Sequence, residues 1–282
     1  MSEVVSVEEF ELFAQFFYEH TGIVLDKMRY IFFGKKITHL FKKSKLDKFC
    51  LYLDYLNTPD GCLDLQEIIN DLTVNETYFY RELHQFECLV ESLLNERVDH
   101  YNTLNRFDQN LKIWSIPCAT GEEAYSICIF ILEHWHKLLH QDVEVFASDI
   151  DSNVLIQAEM GIYQQRSIQG IPDTILNKYF TKMPNGSYRI SEDLRDSVRF
   201  SRVNICDPKA MQAYSKFDII FCRNVLIYFD NESRKKAIDL LYNALAPGGF
   251  ICLGHAEFMN RFAEGFISRK FPQGYIYQKP FS

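Results

Sequence analysis

An apolar stretch of this sequence ends in polar side chains that could act on a charged substrate. Residues 217–222, FDIIFC, have the composition of a buried strand, and Arg223 and Asn224 follow without an intervening glycine or proline. Tyr228 comes one helical turn later. A guanidinium or a phenol can hold a carboxylate oxygen by hydrogen bonding. We therefore interpret this strand end as the border of a reacting centre.

A second polar segment, PCATGEEAYS at residues 117–126, indicates a binding loop. Its small residues let the backbone approach a ligand, and its single glycine does not make the GxGxxG pattern of dinucleotide sites. Glu122 and Glu123 open a helix where a pyrophosphate would otherwise bind. Carboxylates there suit a ligand with hydroxyls and positive charge, such as S-adenosylmethionine. The alternative is that the two glutamates only satisfy the helix dipole.

Two further predicted strands end in residues suited to a nucleoside. Asp149 ends VEVFASDI, and an acid at this point commonly accepts hydrogen bonds from ribose hydroxyls. Asp151 is the better candidate for the N-cap of the next helix. Asn204 and Ile205 near the end of SVRFSRVNIC could lie beside an adenine ring, although Asn204 alone is equally well explained as an ordinary polar strand end.

A polar and aromatic segment, NETYFYRE at residues 75–82, lies outside these strands. Asn75, Thr77 and Arg81 punctuate its aromatic run. The aromatic residues alone are more typical of a core. An arginine embedded among them needs a partner, because an unpaired buried charge is costly.

Short runs rich in Val, Ile and Phe begin at residue 111, and helical stretches separate most of them. This alternation predicts an α/β fold with a mostly parallel, doubly wound sheet over residues 111–282. Ligands bind beyond the carboxyl ends of the strands in such sheets, where the polar strand ends would meet. A small β insertion is expected at about 165–200, because Asn185-Gly186 is a hairpin turn signal.

Residues 1–72 have helical periodicity and predict an all-helical N-terminal domain, which residues 73–110 connect to the sheet. The net charge is −8, yet residues 27–48 hold eight Lys or Arg against a single acid. Within that island Arg29, Lys36 and Lys43 recur every seven residues. They predict either a docking stripe for an acidic partner or simply a solvated helix face.

The bulk properties exclude several classes of protein. The acidic balance argues against a general nucleic-acid binder, and no segment approaches the ~18 to 20 consecutive apolar residues of a membrane span. Eight cysteines are scattered without a CxxC pair, so we expect a reduced, cytoplasmic chain. His136 and His140 are four residues apart near Glu133, but that pattern gives only weak support for a metal site, and we expect none.

Five segments in order resemble one family, the chemotaxis receptor glutamate methyltransferases, often called CheR. They are NETYFYRE, IWSIPCATGEEAYSI, ASDIDSNVLIQAEMGIY, FDIIFCRNVLIYFD and LAPGGFICLGHAE, and the match runs through nearly the whole chain. The resemblance implies a Rossmann-like methyltransferase domain with a small β subdomain and a helical N-terminal domain. It also implies S-adenosylmethionine as methyl donor, S-adenosylhomocysteine as product, and glutamates on cytoplasmic helices of chemotaxis receptors as acceptors. We expect the protein to be a monomer.

The resemblance also implies site residues by position. Those matching the family's cofactor contacts are Asn75, Thr77, Arg81, Glu123, Asp149, Asn204, Ile205, Cys222 and Arg223. Arg81 and Tyr228 would be nearest the transfer, and Glu123 is preferred to Glu122. Two departures from the family are Pro117 and Ala119. The hairpin KMPNGSYR also lacks the longer turn of members that dock on a receptor tail peptide, so tail-independent docking is expected.

The expected chemistry needs no general base, because a glutamate with a reference pKa of ~4.3 is already a carboxylate at neutral pH. One alternative is methylation of a small acid or a nucleic acid, against which the acidic balance and the missing Pro-Pro-aromatic motif weigh. Another is a cofactor-binding signalling adaptor without transfer activity. His255 and Glu257 follow the fifth predicted strand, where a satisfied rim histidine is favoured over a catalytic base.

Overall fold

The computed structural model describes residues 5–25, 30–107, 109–137, 141–259 and 264–281. The chain divides into two compact units. The first comprises Met1–Val74 and Tyr228–Arg234, and the second Asn75–Ile227 and Lys235–Ser282. Among the helices described, none combines the length and the apolar character needed to cross a membrane.

The helices described in the first unit agree with the predicted helical N-terminal domain. Its helices are α1 Val7–Thr21, α2 Tyr30–Lys43, α3 Phe49–Leu56 and α4 Cys62–Leu72. A capping box starts α1: Ser6 accepts a hydrogen bond from the Glu9 amide while the Glu9 carboxylate accepts one from the Ser6 amide. The apolar stripe of α1 is buried, which follows from its helical spacing.

A short return of the chain completes the first unit, and the sequence did not predict it. Ile23 forms an antiparallel bridge with Phe229, and the Val24 amide donates to the Tyr228 carbonyl over 3.1 Å. The Tyr18 hydroxyl donates to the Asp230 carboxylate at 3.2 Å. Tyr228 therefore belongs to the unit formed by the N-terminal helices.

The second unit is built on a seven-stranded sheet of order β6-β2-β1-β7-β8-β10-β9. Its strands and those of a smaller sheet are β1 Leu111–Ser115, β2 Val143–Asp149, β3 Ile162–Tyr163, β4 Phe180–Lys182, β5 Tyr188–Ile190, β6 Val198–Arg202, β7 Phe217–Cys222, β8 Leu245–Leu253, β9 Ile267–Phe271 and β10 Gly274–Gln278. Strands β6, β2, β1, β7 and β8 pair in parallel, whereas β10 and β9 pair antiparallel. The predicted mostly parallel sheet is confirmed, and the antiparallel pair is an addition to it.

Further helices precede β1 or connect the strands. They are α5 Leu83–Cys88, continued through a π turn at Leu89–Leu93 into α6 Leu94–Thr103, then α7 Glu122–His134, α8 Ser152–Met160, α9 Gln165–Ile168, α10 Asp173–Tyr179, α11 Glu192–Asp196, α12 Pro208–Met211 and α13 Asn231–Ala244. Strand β7 is buried along its whole length, in agreement with its apolar composition.

The predicted β insertion is a three-stranded sheet of order β3-β5-β4. It begins at Ile162, slightly before the expected start. The hairpin between β4 and β5 turns at the expected Asn185-Gly186: the Met183 amide donates to the Ser187 carbonyl over 2.8 Å, and Gly186 has φ +84°. Glycine suits this position because L side chains rarely adopt such a φ.

A buried ion pair joins α6 to the sheet. Arg97 and Asp218 are each 1% exposed, and two guanidinium nitrogens of Arg97 lie 2.8 Å from one Asp218 oxygen. The Tyr101 hydroxyl donates to the same oxygen, and the Lys112 amide donates to the other. Since both charged side chains are almost fully removed from water, removing one charge leaves the other uncompensated.

We expect Arg97→Met to lower the free energy of unfolding by about 3–5 kcal/mol, because it leaves the Asp218 carboxylate buried without a cation. Urea unfolding followed by tryptophan fluorescence measures this, since Trp114 and Trp135 both lie in the second unit. Lys235→Met is the matched control: it breaks an exposed pair with Asp239 and should cost about 0.5 kcal/mol or less. Equal losses in the two variants would contradict a structural role for the buried pair.

Candidate active site

The loop after β1 turns its backbone onto the end of β2. The Cys118 amide donates to the Ser148 carbonyl, and the Ala119 amide donates to the Asp149 carboxylate, both over 2.9 Å. Ala119 has φ +46° and Gly121 has φ +91°. A Cβ on Gly121 would lie 2.9 Å from the Ala158 Cβ, so the single glycine of the loop is required for packing on α8.

Asp149 is buried at the carboxyl end of β2. Its carboxylate accepts hydrogen bonds from the amides of Ala119 (2.9 Å) and Asp151 (3.0 Å). Burial raises the pKa of Asp149 to about 6, although these amide donors oppose the shift. A ligand hydroxyl that donates to this carboxylate would favour its ionised form.

The two glutamates at the start of α7 have different surroundings. Glu122 is buried and accepts hydrogen bonds from the hydroxyls of Thr120 and Ser167, each at 2.6 Å. Glu123 accepts one from Ser115 and forms an ion pair with Arg223, each at 2.8 Å. Burial raises the pKa of both carboxyls, and Arg223 opposes that shift at Glu123. Of the two glutamates, Glu123 is thus the one connected to the end of β7. The choice of Glu123 over Glu122 as the cofactor contact stays a prediction.

Arg223 is the buried cation of this region, with its side chain 2% exposed. Besides Glu123, it donates to the Arg81 carbonyl and lies 3.5 Å from the Glu82 carboxylate. Its Nε is buried with no hydrogen-bond partner among the described residues. The polar end of strand β7 therefore forms an ion-pair network that ties α7 to the segment before α5.

Arg81 is only half-buried among its aromatic neighbours, and it has the partner that an arginine in this segment was expected to need. Its side chain is half-buried, donates to the Glu76 carbonyl over 2.9 Å and lies 5.8 Å from the Tyr78 ring. The aromatic residue that enters the core here is Phe79, packed edge-on against Tyr163. Tyr78 is exposed and Phe79 is buried, so the aromatic run is not a single buried cluster around the arginine.

Asn75 and Asp151 are connected across the second unit. Asp151 caps α8 as predicted, by accepting hydrogen bonds from the Asn153 and Val154 amides. Its other oxygen accepts one from the Asn75 side chain at 2.6 Å. The segment that carries Asn75 is therefore fixed beside the end of β2.

The remaining predicted contacts lie at strand ends of the second unit, except Thr77, which lies in the segment before α5. The Asn204 side chain accepts a hydrogen bond from the Cys206 amide at 2.8 Å. Ile205 and Cys222 are buried, and Thr77 is half-buried. Tyr228, the second predicted catalytic residue, belongs to the first unit. Glu82 was not singled out from the sequence, although it lies within NETYFYRE, because nothing local marks it as a partner of Arg223.

No group of three His, Cys, Asp or Glu residues that could hold a metal occurs within the described ranges. His140 lies outside them, and Glu133 is bound by Lys178 and Tyr179. The donor set of the strand ends instead fits a nucleoside with positive charge: a buried carboxylate at Asp149, a close-approach loop at 118–121, and an acidic partner at Glu123.

Comparisons with known proteins agree with this chemistry. A family model described as "CheR methyltransferase, SAM binding domain" matches residues 75–274. Chemotaxis protein methyltransferase 2 of Vibrio cholerae is 42% identical over 281 residues, covering 99% of this chain and 96% of the relative. The chemotaxis protein methyltransferase of Salmonella typhimurium is 32% identical, covering 94% of this chain and 88% of the relative. That of Borreliella burgdorferi is 30% identical, covering 90% and 89%.

If Asp149 binds the ribose hydroxyls as predicted, we expect the affinity for S-adenosylhomocysteine to fall as the pH is lowered through about 6, because burial raises the pKa of that carboxyl to about 6. Below pH 6, each further decrease of one pH unit should lower the affinity by up to about tenfold. Above about pH 7 the affinity should be constant. Calorimetric titration between pH 5 and 8 measures this.

The Asp149→Asn variant should bind S-adenosylhomocysteine more weakly than the wild type. Its affinity should not depend on pH in this range, since an amide does not titrate. Glu123→Gln is the matched control, because burial raises the pKa of that carboxyl too. If Glu123→Gln abolishes the pH dependence and Asp149→Asn retains it, the assignment of the titrating group to Asp149 is wrong.

Proposed function

This chain belongs to the CheR methyltransferase family, and from that premise we propose that it is a protein-glutamate O-methyltransferase. It transfers a methyl group from S-adenosylmethionine to glutamate carboxylates of chemotaxis receptors, for chemotactic adaptation. The observation that carries the proposal is the 42% identity with a chemotaxis protein methyltransferase over nearly the whole of both chains. The comparisons give no support to the alternative of a cofactor-binding adaptor without transfer, because these relatives are named methyltransferases.

The protein's part in the reaction is to hold and desolvate an anion. When bound, S-adenosylmethionine supplies a methyl group on a positively charged sulfur. The acceptor is ionised at neutral pH, so the protein needs no base to take a proton from it. Orientation of two reactants can supply roughly 7–11 kcal/mol of barrier reduction. The donors and carboxylates at the strand ends would provide that orientation.

Arg81 and Tyr228 are our candidates for holding the acceptor carboxylate. A guanidinium has five N–H donors, and the hydrogen bond to the Glu76 carbonyl uses only one of them. Arg81 is half-buried and can therefore meet an incoming side chain. Arg223 is less suited to this role, because it is buried and neutralised by Glu123 and Glu82. We assign to Arg223 the maintenance of the cofactor site.

The cofactor contacts follow the family positions. Asp149 would accept hydrogen bonds from ribose hydroxyls, Asn204 and Ile205 would lie beside adenine, and Glu123 would face the positive end of the cofactor. Asn75, Thr77, Arg81, Cys222 and Arg223 complete the proposed set, in which Arg81 also faces the acceptor. We further propose a cytoplasmic monomer that acts on receptor helices without binding nucleic acid, inserting into the membrane or needing a receptor tail peptide.

We expect Arg81→Ala to lower methyl transfer by on the order of 100-fold, as loss of a positioned charge-stabilising donor commonly does. Tyr228→Phe should lower it at least about tenfold. The assay incubates the protein with methyl-labelled cofactor and chemoreceptor-containing membranes of the organism that carries this chain, then adds alkali. Carboxyl methyl esters release volatile methanol, whereas N-methyl groups do not.

Affinity for S-adenosylhomocysteine, measured by calorimetry, should change less than about fivefold in both variants, because we assign them to the acceptor. Arg106→Ala is the control: Arg106 is exposed, and its removal should leave transfer unchanged. Equal losses of transfer and affinity would make Arg81 and Tyr228 cofactor-binding residues only. Retention of the label after alkali would refute glutamate O-methylation altogether.

The basic stripe on α2 is proposed to dock on acidic receptor helices. Lys36 lies 3.1 Å from the Asp71 carboxylate and Lys43 lies 3.1 Å from that of Glu67, both on α4, while Arg29 lies outside the described residues. These pairs are half-exposed and contribute little to stability. Both lysines can therefore give up their ion pair with α4 and pair with a carboxylate of the receptor.

Lys43→Glu should raise the KM for receptor by roughly 3- to 10-fold at low salt, because an exposed charge pair contributes on the order of 1 kcal/mol. The increase should shrink as salt screens the interaction. Glu67→Lys is the matched control, since it breaks the same pair but adds positive charge, and it should leave the KM equal or lower. A rise of the KM in both variants would show that the pair matters only for the structure of the unit.

A further inference from the structure

Glu257 is a buried carboxylate that fixes two loops at once. Its side chain lies after β8, and one oxygen accepts hydrogen bonds from the Asn224 amide at 2.7 Å and the Gly254 amide at 2.9 Å. The other oxygen accepts one from the Leu226 amide at 2.7 Å. Three backbone amides from two loops therefore donate to one carboxylate. We call these four residues the Glu257 cluster.

The backbone that Glu257 holds is strained. Asn224 has φ +60°, a left-handed conformation that non-glycine residues adopt at a cost. It follows Arg223 directly and precedes the 3₁₀ turn Leu226–Tyr228. Such a conformation persists only where surrounding contacts enforce it, and the two hydrogen bonds to Glu257 on either side of residue 225 do so.

Gly254 shows how closely these loops approach each other. A Cβ on Gly254 would lie 2.9 Å from the side-chain nitrogen of Asn224 and 2.9 Å from a carboxylate oxygen of Glu257. The Glu257 amide in turn donates to the Gly254 carbonyl over 2.8 Å, which closes the turn. The cluster is therefore built for this one carboxylate, and both of its oxygens are occupied by backbone amides.

We propose that Glu257 is a positioning residue for methyl transfer, because it sets the path by which the chain leaves β7 toward Tyr228. The inference rests on the proposed function, since it gives that path a role in catalysis. Arg223 is neutralised by Glu123 and Glu82 without help from Glu257. Loss of Glu257 therefore loosens residues 224–226 and leaves the ion-pair network intact.

The test is Glu257→Gln, which keeps the size of the side chain but replaces one acceptor oxygen by a donor. At least one backbone amide then loses its partner. We expect kcat to fall at least about tenfold, since misplacement of a group by 1 Å can cost on the order of 100-fold, while the KM for S-adenosylmethionine changes less than about threefold. Hydrogen exchange of amides in 224–228 should become faster, and that of 217–222 should not.

Asp218→Asn is the matched control, because Asp218 is also a buried carboxylate that accepts a backbone hydrogen bond. It should lower the unfolding temperature but leave kcat within twofold at a temperature where both variants are folded. A kcat within twofold of wild type in Glu257→Gln, or equal falls of kcat in the two variants, overturns the positioning role.

The exchange measurement separates this inference from the proposed function. Unchanged exchange over 224–228 in Glu257→Gln overturns the structural basis of the inference, whatever the activity. Wild-type protein that releases no methanol from receptor membranes overturns the proposed function, and the catalytic role of Glu257 with it. Faster exchange together with a selective loss of kcat supports both.

Discussion

The buried ion pair between Arg223 and Glu123 is the interaction on which the strand-end region depends. A guanidinium that is almost fully removed from water must be neutralised, because an uncompensated buried charge costs several kcal/mol. Glu123 provides one negative charge, Glu82 a second at longer range, and the Arg81 carbonyl a further acceptor. The network ties together β7, the start of α7 and the segment before α5, so that three separate parts of the sequence share one geometry.

Carboxylates bound by backbone amides determine how the loops leave the sheet. Asp149 holds the loop after β1, Asp151 starts α8, and Glu257 holds the loop after β7. In each case an acidic side chain satisfies amides that have no partner within a strand or helix. The same burial that makes these contacts effective raises the pKa of Asp149 to about 6.

The segment Tyr228–Arg234 gives the first unit a part of the chain that is distant in sequence. The bridge between Ile23 and Phe229 and the hydrogen bond from Tyr18 to Asp230 connect it to α1 and the residues that follow. Tyr228, a proposed catalytic residue, thus belongs to the helical unit, although it lies only four residues after Asn224 in the loop that follows β7. Its position reflects contacts of the folded chain and not its place in the strand-helix alternation.

The sequence by itself determined the fold class, the parallel sheet, the hairpin turn at Asn185-Gly186, the cap at Asp151 and the family. These follow from local periodicity, turn residues and ordered motifs, which need no knowledge of distant partners. Only the tertiary structure decided that Arg223 is buried while Arg81 is half-buried, that Lys36 and Lys43 pair with α4, and that β9 and β10 join the sheet antiparallel. Burial and ion pairing depend on residues that are distant in sequence: Arg223 and Glu123 are 100 positions apart, and no local pattern encodes such a pair.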